Sequence, residues 1–405
     1  MLRAMYSGIG GMNNFQTKLD VIGNNISNVN TFGYKKGRTT FQDLVSQQLS
    51  GASTPTANRG GTNPTQIGLG STMASIDTIH TQGALQMTGR ALDMAITGDG
   101  FFIVNEGNQS YFSRAGNFYL DQQGNLVTSN GLFVQGYGAD ANGNINEAAG
   151  IGNLSIAAGM NIPPQATTEA VINGNLNSAL GNNESRLVQF NVVDEIGRSH
   201  LIQVNFTKTA DNEWEYAITS DSANVAGGTT GTLEFTGGNL TDDNTLVTLE
   251  FGDANINDVT FNIDFSQMTQ YERNSSAEIY SVNGNLDGTL EGYNISQTGE
   301  IIGVFSNGEV RLLGQLALAT FNNPSGLSKS GGNLYQASNN SGMAQIGLAG
   351  AGGRGTLTGG SLEMSNVDLS EEFVEMIVAQ RGFQANTRMI TTSDEILQEL
   401  VNLKR

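Results

Sequence analysis

The sequence predicts an α+β multidomain chain: two terminal α-helices that pair as a coiled coil, with two β-rich domains of barrel or sandwich type inserted between them on long connectors. Three observations predict it. Apolar residues step by three and four at both ends of the chain, the spacing of one helix face. Between the ends, short alternating runs are broken by Gly-Asn and Gly-Asp pairs, the grammar of β-hairpins. The length, 405 residues, is enough for about two or three domains.

The first stripe runs through Leu2, Met5, Ile9, Met12, Gln16, Leu19, Gly23 and Ile26, about four heptads, with Ile22 and Val29 keeping the same helical spacing alongside Leu19 and Ile26. The stretch "LDVIGNNISNVNTFGYKKG" (19–37) interleaves it with Asn24, Asn25, Ser27, Asn28, Asn30 and Thr31, all poor helix formers. The first 34 residues hold only three charges, Arg3, Lys18 and Asp20. A solvated helix carries more, so this one is expected to be enclosed on most sides. Asn24, Asn25 and Asn28 then read as a polar face turned to neighbouring chains, since amides offer donors and acceptors without a buried charge. The helix is expected to reach about Val29 or Phe32 and to stop at a left-handed Gly33. Tyr34 to Arg38 read as a cationic exit from its C-terminus.

The second helix has a start signal at Asp368, with Glu371 as a capping-box partner. Its stripe is Leu369, Phe373, Met376, Gln380, Phe383, Thr387, Ile390, Asp394, Leu397 and Val401, about five heptads. Lys404 and Arg405 suit the negative end of its dipole. The N-terminal helix carries Gly8, Gly10, Gly11 and Gly23, so alone it is expected to be largely unfolded and to order only with partners.

The expected layout is a helical domain of 1–33 with 366–405, a connector of 34–70 with 342–365, a first β domain of 71–144 with 284–341, and an inserted second β domain of 145–283. In the first β domain, residues 94–138 read as a string of short strands. In the second, a β-rich stretch runs from about Val171 to Phe265, with turns near 195–197 and at Asp211 and Asn212. Gly/Ser/Thr/Asn-rich segments at 50–66, 221–232 and 342–361 read as flexible connectors, where domains could tilt.

Composition narrows function. Cysteine is absent, which removes disulfides, thiolate nucleophiles and cysteine-based zinc sites. His80 and His200 lack metal-site spacing and read as core or surface residues. A net charge of −19 argues against nucleic acid, whose binding rests on phosphate neutralisation. The N-terminus "MLRAMYSGIGGMNNF" lacks the continuous apolar run of a secretory signal, and no run approaches the ~18 apolar residues of a membrane span. The chain is expected to be cytosolic, or to leave the cell without a cleaved signal, and not to insert into membranes. "GDGFF" (98–102) reads as a tight turn feeding a strand, and "DANGNINE" (140–147) as an Asn-Gly turn lacking the full ligand set of a calcium loop. "LAGAGGRGTLTGG" (348–360) follows no βαβ unit. Neither histidine sits in a triad context. The adjacent acids Asp242–Asp243 and Glu371–Glu372 read as a turn and a helix first turn. No enzyme activity and no cofactor is expected.

The residues also carry a resemblance. "SGI" (7–9) with "LDVIGNNISNVNTFGYKKG" is similar to the N-terminal signature of the bacterial flagellar rod and hook proteins. "RALDMAITGDGFFIV" (90–104) and "YFSRAGNFYLDQQGNLV" (111–127) resemble that family's first β domain, and residues 362–405 resemble its C-terminal signature. The insertion at about 144–283 looks like the architecture of the hook members, the rod members being shorter; residues 312–338 also resemble hook-member sequence. The resemblance implies a homopolymer, a short curved hollow tube that bends as it turns, with paired terminal helices innermost. The assembly residues would be the apolar stripe positions named above together with Asn24, Asn25 and Asn28. It implies the distal rod, the hook cap and the hook–filament junction proteins as partners, and export by the flagellar type III apparatus. Phe41 and Val45 fit that route's pattern of Phe followed four residues later by an apolar residue. Two alternatives stand beside it: the distal rod protein of the same family, forming a straight tube, and a secreted carbohydrate-binding β protein, which would leave the terminal stripes unexplained.

Overall fold

The computed structural model describes residues 2–55, 59–107, 109–140, 143–157, 159–221, 224–241, 244–250 and 258–403. The acid pair at 242–243 and the basic end at 404–405 lie outside them. The chain folds as two compact units, one of residues 1–157, 294–302 and 312–405, the other of 158–293 and 303–311.

The first unit holds both helices, α1 (Leu2–Ser27) and α2 (Leu369–Asn402). They run antiparallel: Lys18 pairs with Glu375 at 2.9 Å, Asn25 Nδ2 reaches both Glu372 oxygens at 3.2 Å, and Thr387 Oγ1 lies 3.3 Å from Met12 Sδ. The backbones approach closely because small residues face across the pair. A Cβ added to Gly382 would meet Phe15 Cζ at 2.5 Å, and one added to Gly11 would meet the Asn386 side chain at 2.8 Å. Each glycine costs helix propensity of up to ~1 kcal/mol, and here the close packing offsets it.

Helix ends match expectation in part. Asp368 caps α2, accepting from Ser370 N at 2.8 Å and Glu371 N at 3.4 Å. The Glu371 carboxylate does not turn back to complete a capping box; it pairs with Lys36 at 2.8 Å. Regular α1 ends at Ser27, short of the expected Val29, and Asn28 to Phe32 form turns. The run of Asn, Ser and Thr explains this, because short polar side chains compete for backbone groups: Asn28 Nδ2 donates to Asn24 O at 2.9 Å. Gly33 has φ 71° as expected, and a Cβ there would lie 2.5 Å from Ala115 N.

The described residues of 37–78 form a hairpin arm rather than a loose connector. Gly37–Asp43 pairs antiparallel with Ser71–Thr78, Ser46–Ser50 pairs with Thr65–Gly68, and Ser53 bridges Thr62. Its strands are mostly exposed, so no buried alternation announced them. The segment 342–361 is likewise pinned, with strands at Gln345–Leu348, Thr356–Gly359 and Ser361–Glu363. The Arg354 guanidinium donates to Ala351 O and Ile346 O at 3.0 and 3.1 Å. At 221–232 the strand Asn224–Gly227 and the start of Thr230–Thr236 replace the expected connector.

The β core of the first unit is built on Phe101–Glu106, which pairs antiparallel with Gln109–Ser113, Phe133–Gly138 and Val310–Thr320. Phe101, Ile103, Phe112, Tyr137, Phe321 and Tyr335 fill one side. Phe102 and Phe118 pack edge to face elsewhere, ring centroids 5.0 Å apart. The turn before Phe101 uses Gly98 and Gly100 at φ 102° and 140°.

The second unit is a long sheet in the order Ser185–Val193, Ser199–Ala210, Glu213–Ser220, Thr230–Thr236, Asn239–Leu240, Val259–Tyr271, Glu169–Asn177, Glu278–Val282. One pair, Glu169–Asn177 with Val259–Tyr271, is parallel. The first and last strands approach each other, so the sheet nearly closes into a barrel. Inward residues alternate along each strand and enclose Trp214, Phe206, Phe261 and Phe265. His200 lies here, 3.3 Å from Asp194 Oδ2, both buried.

Leucine at 382 tests the helix seam. Gly382→Leu overpacks against Phe15 and should cost about 1–3 kcal/mol, lowering the midpoint for loss of helical circular dichroism. Trp214, the single tryptophan, lies in the other unit, so its fluorescence transition should not move.

Candidate assembly site

Two features of the first unit bear on assembly: the joint where the helices leave the β core, and the helix faces that the pair leaves open.

The joint is built around Glu363, on the short strand Ser361–Glu363 that leads into α2. Its carboxylate is 0% exposed and takes a 2.6 Å bond from Lys35 Nζ, also 0% exposed. Arg114 adds a contact at 3.4 Å and Gly83 N donates at 2.9 Å. The Glu363 backbone carbonyl accepts from Gly33 N at 2.8 Å. Lys35 also donates to Thr81 O at 2.7 Å, and Arg114 to Gly98 O at 2.8 Å. Burial lowers the pKa of Lys35 and of Arg114, and Glu363 opposes both shifts. Removing one partner from such a cluster strands a buried charge. The "YKKGR" stretch is therefore not simply a cationic exit: Lys35 is a core residue, and Lys36 closes the pair with Glu371.

Around the cluster, Asn366 Oδ1 accepts from Lys36 N at 2.8 Å and its Nδ2 donates to Ile79 O at 2.9 Å. Asn333 Nδ2 donates to Phe32 O at 3.0 Å, and Lys329 lies over the Tyr34 ring at 5.2 Å. His80 stands against Phe101 and Tyr335, centroids 5.6 and 5.4 Å away, with both ring nitrogens buried and, among the described residues, without a hydrogen bond of good geometry. Burial first, then Lys35, Arg114 and Lys329, push its pKa down to about 4. The sequence offered one signal for the joint: Glu363 is the lone charge in the stretch "LTGGSLEMSNV" (357–367).

The helix seam is not the apolar stripe. On α2 the less exposed positions are Glu372, Met376, Ala379, Gly382, Phe383, Asn386, Ile390, Ser393 and Leu397. Four of the seven apolar stripe positions are there, Met376, Phe383, Ile390 and Leu397. The other three are not: Leu369, Phe373 and Val401 are exposed, with Val374, Ile377 and Val378 beside them. On α1 Ile22 is buried, Met5, Met12, Leu19, Ile26 and Val29 are half-buried, and Ile9 is exposed; the Leu2 side chain lies outside the described atoms. Glycine, alanine, asparagine and serine hold the seam, so a hydropathy stripe misses it.

The amide face divides. Asn25 turns inward, 2% exposed: its Oδ1 accepts from Gly37 N at 2.9 Å and Tyr34 Oη at 3.2 Å, while Nδ2 serves Gly37 O and Glu372. As a neighbour-facing group Asn25 is corrected; it is an internal staple. Burial raises the pKa of Glu372 against the Asn25 bond. Asn24 is exposed, accepting from Tyr34 Oη at 2.7 Å, and Asn28 is half-buried. Phe41 and Val45 are exposed on the hairpin arm.

Four family models fall on the chain in the order of its parts. They are Flagella basal body rod protein over 5–35, Flagellar hook protein FlgE/F/G D1 domain over 95–175, Flagellar basal body protein FlaE D2 domain over 162–285, and Flagellar basal body rod FlgEFG protein C-terminal over 358–403. Helices at both termini with β units between them thus define a rod-and-hook protein of the flagellum. Among similar proteins, Flagellar hook protein FlgE of Treponema pallidum is 40% identical and that of Borreliella burgdorferi 41%, each over the whole of both chains. Flagellar basal-body rod protein FlgG of Bacillus subtilis is 37% identical, also over the whole of both. The chain belongs to the flagellar hook protein family. The crystal structure of Helicobacter pylori flagellar hook protein FlgE2 shares the fold, with a TM-score of 0.56 at 16% identity, covering 69% of this chain and all of that one.

The depressed pKa of His80 fixes a sign. The folded state holds the ring neutral, whereas an unfolded chain protonates it below about pH 6.5. Its contribution is complete above that pH and falls away toward pH 4. His80→Phe keeps the edge-to-face contacts and removes the titration, so the thermal midpoint should fall less between pH 6.5 and 4 than in the parent chain.

Proposed function

We propose that the chain is the structural subunit of a flagellar hook, polymerising with copies of itself into a curved hollow tube that transmits torque as a universal joint. One observation carries this reading. The two helices have already paired, yet Phe373, Val374, Ile377, Val378 and Ile9 remain 40–61% exposed. Exposed apolar patches of this kind mark interaction surfaces, and burying them would stabilise an assembly by ~25 cal/mol per Å². The names of the similar hook proteins support the same reading.

On this reading residues 1–33 with 366–405 form the inner layer, 34–70 with 342–365 link it outward, 71–144 with 284–341 form the first β layer, and 145–283 face outside. Asn24 and Asn28 meet neighbouring copies. The chain reaches the cell exterior through the flagellar type III apparatus without a cleaved signal, with Phe41 and Val45 in the export signal. It meets the distal rod, the hook cap and the hook–filament junction proteins. A second reading, the distal rod, is favoured by the whole-length likeness to a FlgG protein.

Electron microscopy of the polymerised full chain separates them. Curved tubes are expected; straight, stiff tubes would support the rod reading, and absence of any tube would remove both.

A further inference from the structure

The outer face of α2 is graded in blocks of seven residues. Phe373, Val374, Ile377 and Val378 form an apolar block. One heptad on stand Gln380, Arg381, Gln384 and Ala385, then Thr387, Arg388, Thr391 and Thr392, and finally Asp394, Glu395, Gln398 and Glu399. All sixteen positions are exposed. Successive blocks are thus apolar, singly positive, singly positive and triply negative, and 374, 381, 388 and 395 fall on one line of the helix. Among the described residues Arg381 and Arg388 make no ion pair, although Lys18 and Lys36 of the same unit are both paired. A shallow depression of about 570 Å³ runs past Arg381, Gln384, Arg388, Met389 and Thr392. Asp394 accepts from Gln398 at 3.1 Å on its own helix; no bond of that kind is seen for the carboxylates of Glu395 and Glu399 among the described residues.

We propose that this face docks on the same face of a second, parallel copy displaced along the helix by two heptads, about 21 Å at 1.5 Å per residue. The inference rests on the polymer reading and adds its register. Charge decides the displacement. With no shift, arginine faces arginine and the acidic blocks face each other. With one heptad, Arg388 meets the acidic block, but Arg381 of one copy meets Arg388 of the other. With two heptads, Arg381 meets Asp394, Glu395 and Glu399, the apolar block lies over Thr387, Arg388, Thr391 and Thr392, and no like charges oppose. With three, both arginines pass the acidic block. Like-charge juxtaposition excludes wrong registers more strongly than each exposed pair favours the right one.

The test is charge reversal in the full chain, with the critical concentration for polymerisation measured by sedimentation in low salt. Arg381→Glu with Arg388→Glu should raise it about tenfold or more. Asp394→Lys, Glu395→Lys and Glu399→Lys should raise it similarly, and all five together should return it to within about threefold of the parent. The neutral pair Arg381→Gln with Arg388→Gln should fall between, and its helical circular dichroism checks that α2 is intact. The register is overturned if the reversed arginines polymerise at the parent concentration, or if the five-fold variant stays as defective as its parts. A parent chain that forms no polymer overturns the functional reading and the register together; a parent that polymerises beside an unaffected Arg381→Glu/Arg388→Glu chain overturns the register alone.

Discussion

A single buried carboxylate holds the helical and β parts of the first unit in one arrangement. Glu363 lies five residues before the Asp368 cap of α2, and its partners come from elsewhere in the chain. Lys35 follows α1, Arg114 belongs to the β core, and Gly83 leads toward its first strands. With Gly33 N on its carbonyl, one residue fixes where both helices leave the β core. Fully buried ions are costly to desolvate, so the cluster is a specifier of geometry more than a source of net stability. On the proposed reading the subunit bears torque and needs such a joint, because a compliant one would absorb the rotation.

The helices follow a different logic. Their seam sets Gly8, Gly11, Gly382, Ala379, Asn386 and Ser393, which allow close approach, among Phe15, Ile22, Met376, Phe383, Ile390 and Leu397, while Phe373, Val374, Ile377 and Val378 stand outside. The division of labour is physical. A glycine-lined seam gives registry and small area, too little to order α1 by itself. The apolar outer face supplies area only when another chain covers it. On the proposed reading, folding of the ends and assembly are coupled, and the pairing seen within one chain is the template on which copies add.

This explains what could be read from the residues. The Asp368 cap, the left-handed Gly33, the hairpins across 94–138 and the positive φ of Asn212 follow from local chemistry, and local chemistry is written in neighbouring letters. So are Met376, Phe383, Ile390 and Leu397, where apolar and buried coincide. Phe373 and Leu369 lie outside the intrachain seam, because hydropathy gives the wish to be buried and not the chain that does the burying. Asn25 misled for the converse reason: its amide saturates within the chain, through Gly37, Tyr34 and Glu372, residues that no periodicity connects to it. The exposed hairpin arm and the pinned 342–361 segment were illegible because their order rests on backbone pairing and on Arg354, neither of which leaves a hydrophobic pattern. Lys35 and Glu363 lie 328 positions apart in sequence, and only the fold brings them together.

The central claim is that the Glu363 cluster fixes the joint. Hydrogen exchange on the full chain, read at the Gly33 and Lys36 amides, whose acceptors are the Glu363 carbonyl and Asn366 Oδ1, in the parent, in Glu363→Ala and in the triple variant Lys35→Met/Arg114→Met/Glu363→Met, tests it most directly. Stranding the two cations should lower protection at both amides by about 3–5 kcal/mol, and the apolar triple variant should recover most of that loss. Protection in Glu363→Ala within about 0.5 kcal/mol of the parent would contradict it.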